Sequence, residues 1–319
     1  MFNLVQKRRI YFLISASIII PGILLMIYST ITTGAPFRLS IDFVGGSLVE
    51  LTFTEDGATE SNIRVVFAEV GDENVIVQQL GVPENNRWSV RSTIQEQSAL
   101  DDALEALNEI APIDDDLLRT ESVSATVGRE VAQAAFVAVL VAALVVIGFI
   151  VFAFRQVPSP FRYGLCAVAA MLHDVLIVSS MMSLTGILLG WEADALFLTA
   201  LLTIVGYSLQ DTIVLFDRIR EDIPRYLGEP YETIVNRAIL ETIHRSLATQ
   251  LNAFFIMAAI LLFGGDTIKQ FIAILFVGLL SGTYSSIFTA VPLLVAWEKG
   301  EIPFINRGGL ATIAEAERA

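Results

Sequence analysis

Six long apolar stretches dominate the pattern of hydrophobic and polar positions along the chain. Each is long enough to cross the roughly 30 Å hydrocarbon core of a bilayer as an α-helix. They cover residues 10–31, 131–154, 163–189, 195–216, 247–264 and 271–297. The fifth has the weakest pattern, because it is short and carries Gln250 and Asn252 near its start. The pattern therefore predicts six transmembrane helices.

Between the first two apolar stretches the pattern becomes that of an α+β domain. Alternation at 49–54 and 87–92 predicts half-buried strands. A β-rich segment at 74–80 leads through a turn at 83–86 into the strand at 87–92, and a weaker strand is indicated at 117–123. Two segments, 63–70 and 100–110, repeat apolar residues at helical spacing. The order β-α-β-β-α-β predicts a ferredoxin-like domain. The paired Gly45 and Gly46 indicate a sharp turn before its first strand.

Composition supports a membrane protein and excludes several other classes. Hydrophobic residues make up 54% of the chain and charged residues 17%, against about 25% in soluble proteins. The net charge of −14 excludes a basic nucleic-acid-binding surface. The single cysteine, Cys166, excludes an internal disulfide, and with two histidines we expect no Cys/His metal site and no cofactor. Neither a phosphate-binding loop nor a hydrolase motif is present, so we expect no enzyme, although an intramembrane acid pair is compatible with proteolysis.

The distribution of charge predicts the orientation. Residues 32–132 hold nineteen acidic and six basic residues, while thirteen Lys and Arg residues, Arg307 and Arg318 among them, fall on the opposite side. By the positive-inside rule we expect both termini in the cytoplasm of a multi-pass membrane protein. We expect a first helix over 1–31, an extracytoplasmic domain over 32–130, a five-helix bundle over 131–297 with a cytoplasmic loop at 217–246, and a cytoplasmic tail over 298–319. A cleaved signal peptide is the alternative for the first helix.

The ionisable residues inside the spans are the candidates for function, since each costs a few kcal/mol in hydrocarbon. Asp174 lies about 16 Å along the third span, near the bilayer midplane, where a carboxyl must be protonated or paired. The alternative is that it only hydrogen-bonds a neighbouring helix. His173 is a weaker candidate, because an adjacent residue points about 100° away on a helix.

A polar stripe on the fourth span supplies further candidates. Helical spacing links Thr203, Tyr207, Asp211, Val214 and Arg218, with Gln210 and Asp217 beside them, so this face is expected against other helices. Asp211 is expected two turns from the cytoplasmic end and more accessible to water than Asp174. Asp217 and Arg218 are alternatively charges that fix the end of the span.

Two further segments have plainer interpretations. Gly278, Gly282 and Ser286 are spaced by four on the sixth span, which indicates close helix packing and, as an alternative, a sliding contact between moving bundles. The cytoplasmic stretch 222–245 predicts a separate helix from Tyr231 that lies on the membrane surface.

These residues resemble the SecF family of translocase subunits, part of the SecD/SecF family within the resistance-nodulation-division superfamily. The matching segments are 42–46, 172–174, 205–212, 216–221, 262–265 and 278–286, in nearly the whole chain. Gln210 departs from the family, in which Asn is more usual before the Asp.

The resemblance implies a subunit that works with SecD, the SecYEG channel and SecA, in membrane lipid, to draw an unfolded polypeptide outward with the proton motive force. It associates Asp174, and with it Asp211 and Arg218, with proton coupling. A passive membrane scaffold and half of a proton-coupled efflux transporter are the alternatives.

Overall fold

The structure is a computed structural model that describes residues 3–73, 75–81, 85–155, 157 and 159–302. Several predicted features therefore lie outside the described residues: Asn74 of a predicted strand, Pro83 and Glu84 of the predicted turn, and Arg307 and Arg318 of the predicted tail.

Helices make up most of the described chain. They are α1 (Arg8–Thr33), α2 (Ile41–Val44), α3 (Glu60–Glu69), α4 (Gln97–Ile110), α5 (Ala125–Ala153), α6 (Pro160–Leu188), α7 (Ala195–Arg225), α8 (Tyr231–Phe263), α9 (Asp266–Ser285) and α10 (Val291–Glu298). A π-helical segment, Ser286–Ala290, joins α9 to α10. The strands are β1 (Gly46–Thr52), β2 (Ile76–Gln79), β3 (Arg87–Ser92) and β4 (Arg119–Val123).

The chain forms two compact units. The membrane unit consists of Met1–Phe37, Ala138–Trp191 and Leu196–Ala319, and the outer unit consists of Arg38–Val137 with Glu192–Ala195. The described residues contain six helices that are long and apolar enough to cross a membrane, as predicted. The sixth is the continuous run Ile268–Glu298, which includes the π-helical segment.

The predicted helix from Tyr231 is confirmed, but the prediction that it is separate from the fifth span and lies on the membrane surface is wrong. α7 continues to Arg225 and α8 begins at Tyr231, so only residues 226–230 lie between them. α8 then runs without a break for 33 residues through the fifth span, the one with the weakest pattern. Its first turns bury Ile234, Val235, Ala238 and Ile239, so burial against the membrane unit holds this polar segment in the same helix.

The outer unit has the predicted β-α-β-β-α-β order. Its four strands form an antiparallel sheet in the order β2-β3-β1-β4, which is the ferredoxin-like arrangement. Val49, Leu51 and Val90 from the sheet pack with Phe67 of α3 and Leu107 of α4. β4 lies at the edge and is largely exposed, which explains why its alternation is poor.

The paired glycines turn the chain into β1, as the sequence indicates. Gly45 and Gly46 have φ of 80° and 117°, values that favour glycine. A Cβ on Gly45 would lie 2.6 Å from Cα of Ala125, and one on Gly46 would lie 2.5 Å from the carbonyl oxygen of Ser92. Both positions therefore require glycine for conformation and for space.

Burial in the membrane unit is concentrated in three of the six spans. In α6, α7 and the run Ile268–Glu298, about half of the residues in an apolar stretch of 18 residues are buried. The same fraction is 11% or less in the spans formed by α1, α5 and α8. The core of the unit is thus built from α6, α7 and α9, the helices that carry the polar residues described next.

Candidate functional site

Asp174 occupies the centre of α6. Fourteen residues of the helix precede it and fourteen follow it. Its residue exposure is 1%, so the carboxyl group is removed from both water and lipid. A buried carboxyl at this depth must find polar partners within the protein.

Three serine hydroxyl groups supply those partners. Ser208 on α7 donates to Oδ2 of Asp174 at 2.6 Å, and Ser285 on α9 donates to the same oxygen at 2.7 Å. Ser281 on α9 donates to Oδ1 at 2.6 Å. The carboxyl group therefore joins α6 to both α7 and α9.

His173 belongs to this cluster, contrary to the prediction that it points away. Its Nδ1 lies 3.0 Å from Oδ1 of Asp174, and its Nε2 lies 3.0 Å from the hydroxyl of Ser15 on α1. The backbone directions do differ by about 100°, but the imidazole is long enough to reach back to its neighbour. His173 thus links the carboxyl group to a fourth helix.

Small residues let α7 and α9 approach closely beside this cluster. A Cβ on Gly278 would lie 2.1 Å from Cδ1 of Ile204, and one on Gly282 would lie 3.3 Å from Cα of Ser208. Ser286 donates to the carbonyl oxygen of Ser208 at 3.1 Å. The three residues predicted as a packing stripe therefore lie at this contact.

Asp211 lies one turn beyond Ser208 on α7 and has a different environment. It is 7% exposed, and Gln250 of α8 donates its side-chain amide to Oδ2 at 2.7 Å. α7 extends fourteen residues past Asp211, so the helix itself ends about four turns beyond this residue. Tyr207, on the same predicted stripe, is 47% exposed. The buried polar face is therefore made by Ser208, Asp211 and Thr212.

Arg218 and Asp217 lie near the end of α7 and bond to other residues. Arg218 pairs with Glu241 of α8, with Glu221 at 3.2 Å and with Asp222 at 3.5 Å. Asp217 pairs with Arg220 at 2.6 Å. Among the described ion pairs, none joins Arg218 to Asp174 or Asp211.

Sequence reasoning missed the groups that bond the two acids. Helical spacing and hydropathy assign no functional role to Ser208, Gln250, Ser281 or Ser285. One signal was available: all four are polar residues inside predicted spans, where each must have a partner. In the part of the chain that the structure describes, no three His, Cys, Asp or Glu side chains are grouped to hold a metal ion.

Comparison with known proteins identifies the family. The model of the C-terminal region of the protein export membrane proteins SecD and SecF matches residues 103–300, and the model of the SecD/SecF GG motif matches residues 30–56. This chain belongs to the SecD/SecF family. The GG motif contains Gly45 and Gly46, whose steric requirement is described above.

Relatives over nearly the full length are of the SecF type. Protein translocase subunit SecF of Anaerolinea thermophila is 45% identical over 302 residues, which cover 94% of this chain and 96% of the relative. Its counterpart in Thermobaculum terrenum is 41% identical and covers 96% and 97%. The names of these relatives describe translocase subunits.

The fold is shared with a solved SecDF structure. The crystal structure of SecDF, a translocon-associated membrane protein from Thermus thermophilus, matches with a TM-score of 0.76 and 31% identity over 93% of this chain. This chain spans 39% of the length of that protein, so it matches only a part of SecDF.

Proposed function

We propose that this chain, as the SecF-type half of a SecDF complex, converts proton movement across the membrane into work on a translocating, unfolded polypeptide. Asp174 is the group that gains and loses the proton. One observation carries the proposal: a carboxyl group at the centre of a span is bonded by hydroxyl groups from two other helices.

Hydroxyl partners suit a group that changes its protonation state. A serine hydroxyl both donates and accepts, so Ser208, Ser281 and Ser285 can donate to an ionised carboxylate. When Asp174 takes up a proton, it becomes a donor itself and one hydroxyl must turn to accept. Because these serines lie on α7 and α9, each change of protonation alters the bonds between α6 and its neighbours.

The membrane potential supplies enough free energy for such a change. One charge crossing 100 mV yields about 2.3 kcal/mol. Since about 1.4 kcal/mol changes an equilibrium tenfold, one proton shifts the balance between two packings of the helices by more than tenfold.

Several polar residues are exposed within the spans, which favours contact with a second membrane subunit. Tyr207 and Gln210 on α7 and Thr249 and Asn252 on α8 are exposed. Polar side chains of this kind favour protein neighbours over lipid. We assign this surface to a SecD-type partner, which places Asp211 and Gln250 close to the interface.

The wider setting follows from the family. We propose that the complex acts beside the SecYEG channel and SecA in the lipid of the inner membrane, with both termini in the cytoplasm and without enzymatic activity of its own. Further candidates for the proton pathway are Asp211, Arg218 and Asp217. Asp211 is the strongest of the three, because its side chain is buried while the other two are partly exposed.

Export by reconstituted vesicles tests the proposal. Vesicles that contain this chain, its partner, the channel and SecA are given a membrane potential, and the amount of exported polypeptide is measured. We expect Asp174→Asn to abolish the stimulation by the potential while the complex still assembles. Asp102→Asn, on the exposed face of α4, is the matched control.

Two other outcomes would support the alternatives. Loss of assembly together with export would favour a passive scaffold, and unchanged stimulation in Asp174→Asn would refute the assignment. Capture of partners from mild detergent separates an efflux assembly from a complex with a SecD-type protein.

A further inference from the structure

The connection between α6 and α7 is part of the outer unit. α6 ends at Leu188 and α7 begins at Ala195, yet residues Glu192–Ala195 belong to the outer unit by their contacts. We call these four residues the strap. The strap lies between α6, which carries Asp174, and α7, which carries Asp211.

Backbone hydrogen bonds hold the middle of the strap. Ser40 donates its backbone N–H to the carbonyl oxygen of Ala193 at 2.8 Å, and Ala193 donates its own N–H to the carbonyl oxygen of Arg38 at 2.8 Å. Ala193 is fully buried and forms a parallel bridge with Leu39. The strap is therefore paired like a short strand.

Asp42 holds the end of the strap at the first residue of α7. Ala195 donates its backbone N–H to the Asp42 carboxylate at 2.8 Å. The first N–H groups of a helix have no partner within the helix, and a negative charge there also interacts favourably with the helix dipole. Asp42 itself is fixed, because its backbone N–H donates to the hydroxyl of Ser40 at 3.1 Å.

An ion pair holds the other end. Arg91 of β3 donates to Glu192 at 2.6 Å, and both side chains are about four-fifths buried. Burial raises the pKa of Glu192, while Arg91 acts in the opposite direction. A partly desolvated pair of this kind is costly to break on one side only.

The segments that connect the strap to α6 and α7 are short. Only residues 189–191 lie between the end of α6 and Glu192, and Ala195 is already the first residue of α7. Three residues span at most about 10 Å when extended, and the link to α7 has no free length. A displacement of α7 must therefore move the strap or break its bonds.

We infer that Asp42, Arg91 and Glu192 are positioning residues that fasten the strap to the outer domain and so transmit a movement of the acid-bearing helices to it. The inference rests on the proposed function and adds to it the route by which a change at Asp174 reaches the polypeptide. It also gives a role to the aspartate that precedes the paired glycines.

Charge reversal tests the ion pair in the complete complex. Arg91→Glu and Glu192→Arg are made singly and together, and vesicles are assayed for potential-driven export and for proton uptake. We expect each single variant to lower the stimulation of export by about tenfold, with proton uptake retained, and the double variant to restore it. Arg87→Glu, which reverses a charge on the same strand but pairs with Glu50, is the control.

The results separate this inference from the proposed function. Full export stimulation in both single variants, or loss of proton uptake along with export, would overturn the role of the strap. If Asp174→Asn leaves export and proton uptake unchanged in the same vesicles, the proposed function itself fails. Asp42→Ala supplies a second test, because it releases the N-terminus of α7 without reversing a charge pair, and it should reproduce the uncoupling.

Discussion

Asp174 and Asp211 are two buried carboxyl groups in the same membrane unit, and they are held in different ways. Asp174 lies among three serine hydroxyl groups from α7 and α9 and the imidazole of His173, its neighbour on α6. Asp211 accepts from the amide of Gln250 on α8. The hydroxyl groups can change from donor to acceptor by rotation about one bond, whereas the Gln250 side chain must turn its whole amide over to present the carbonyl oxygen. The comparison teaches that the depth of an acid does not define its chemistry, since the partners decide which protonation states fit.

Removal of the Asp174 carboxyl should have the largest effect on stability. Asp174→Ala leaves three buried hydroxyl groups without their acceptor, so we expect the free energy of unfolding to fall by about 3 kcal/mol. The measurement is unfolding in mixed micelles with increasing denaturing detergent. Asp102→Ala on α4 should change it by less than about 0.5 kcal/mol. Equal values for the two variants would contradict the described cluster.

Removal of the Asp211 carboxyl should have a smaller effect. Asp211→Ala leaves the Gln250 amide unpaired, and we expect a loss of about 1.5 kcal/mol in the same unfolding measurement. The double variant Asp211→Ala with Gln250→Leu should recover part of this loss, because no buried polar group is then left alone. A loss in the double variant that exceeds the sum of the two single losses would count against the pairing.

A change beside the Asp174 cluster sharpens the comparison further. The Cβ of Gly282→Ala would lie 3.3 Å from Ser208 and 3.6 Å from Oδ2 of Asp174, so α7 and α9 must separate slightly. We expect a loss of about 1 kcal/mol from overpacking. Double-variant measurements should show coupling of Gly282→Ala with Asp174→Ala but not with Gln250→Leu. If the loss from Gly282→Ala simply adds to the loss from Asp174→Ala, the close contact between α7 and α9 does not affect the Asp174 carboxyl group.

The smallest expected effect is a pH dependence outside the spans. Arg8 donates to Glu301 and lowers the pKa of that carboxyl group below its usual range. The pair therefore stabilises the fold above the usual glutamate pKa, and its contribution is lost as the pH falls through the lowered value. Solvent screens this partly exposed group, so Glu301→Gln should cost less than ~0.5 kcal/mol at neutral pH. The difference between variant and original chain should vanish at acid pH, and a difference that grows there would contradict the ion pair.

The sequence predicts the architecture well because hydropathy and periodicity are local properties. The six spans and the order of strands and helices in the outer domain follow from them. The central depth of Asp174 follows from counting along one helix. The continuous α8 does not, because its first turns carry a polar pattern and owe their place to burial against other helices.

The partners of the acids depend on which helices meet, and one sequence does not contain that information. Ser208 lies 34 residues from Asp174 along the chain, and Ser281 lies 107 residues away. Helical spacing placed Tyr207 and Asp211 on one face, but the neighbouring helices cover Asp211 and leave Tyr207 exposed. His173 shows the other limit, since the direction of a backbone does not fix where a long side chain ends.

Infrared difference spectroscopy tests the central claim most directly, because a protonated carboxyl group has its own carbonyl stretching band. The assembled complex is taken through a pH change in membranes, and the band is compared between the original chain, Asp174→Asn and Asp211→Asn. We expect a band that appears on acidification, persists in Asp211→Asn and is missing in Asp174→Asn. A band that persists unchanged in Asp174→Asn would show that this carboxyl group does not exchange the proton.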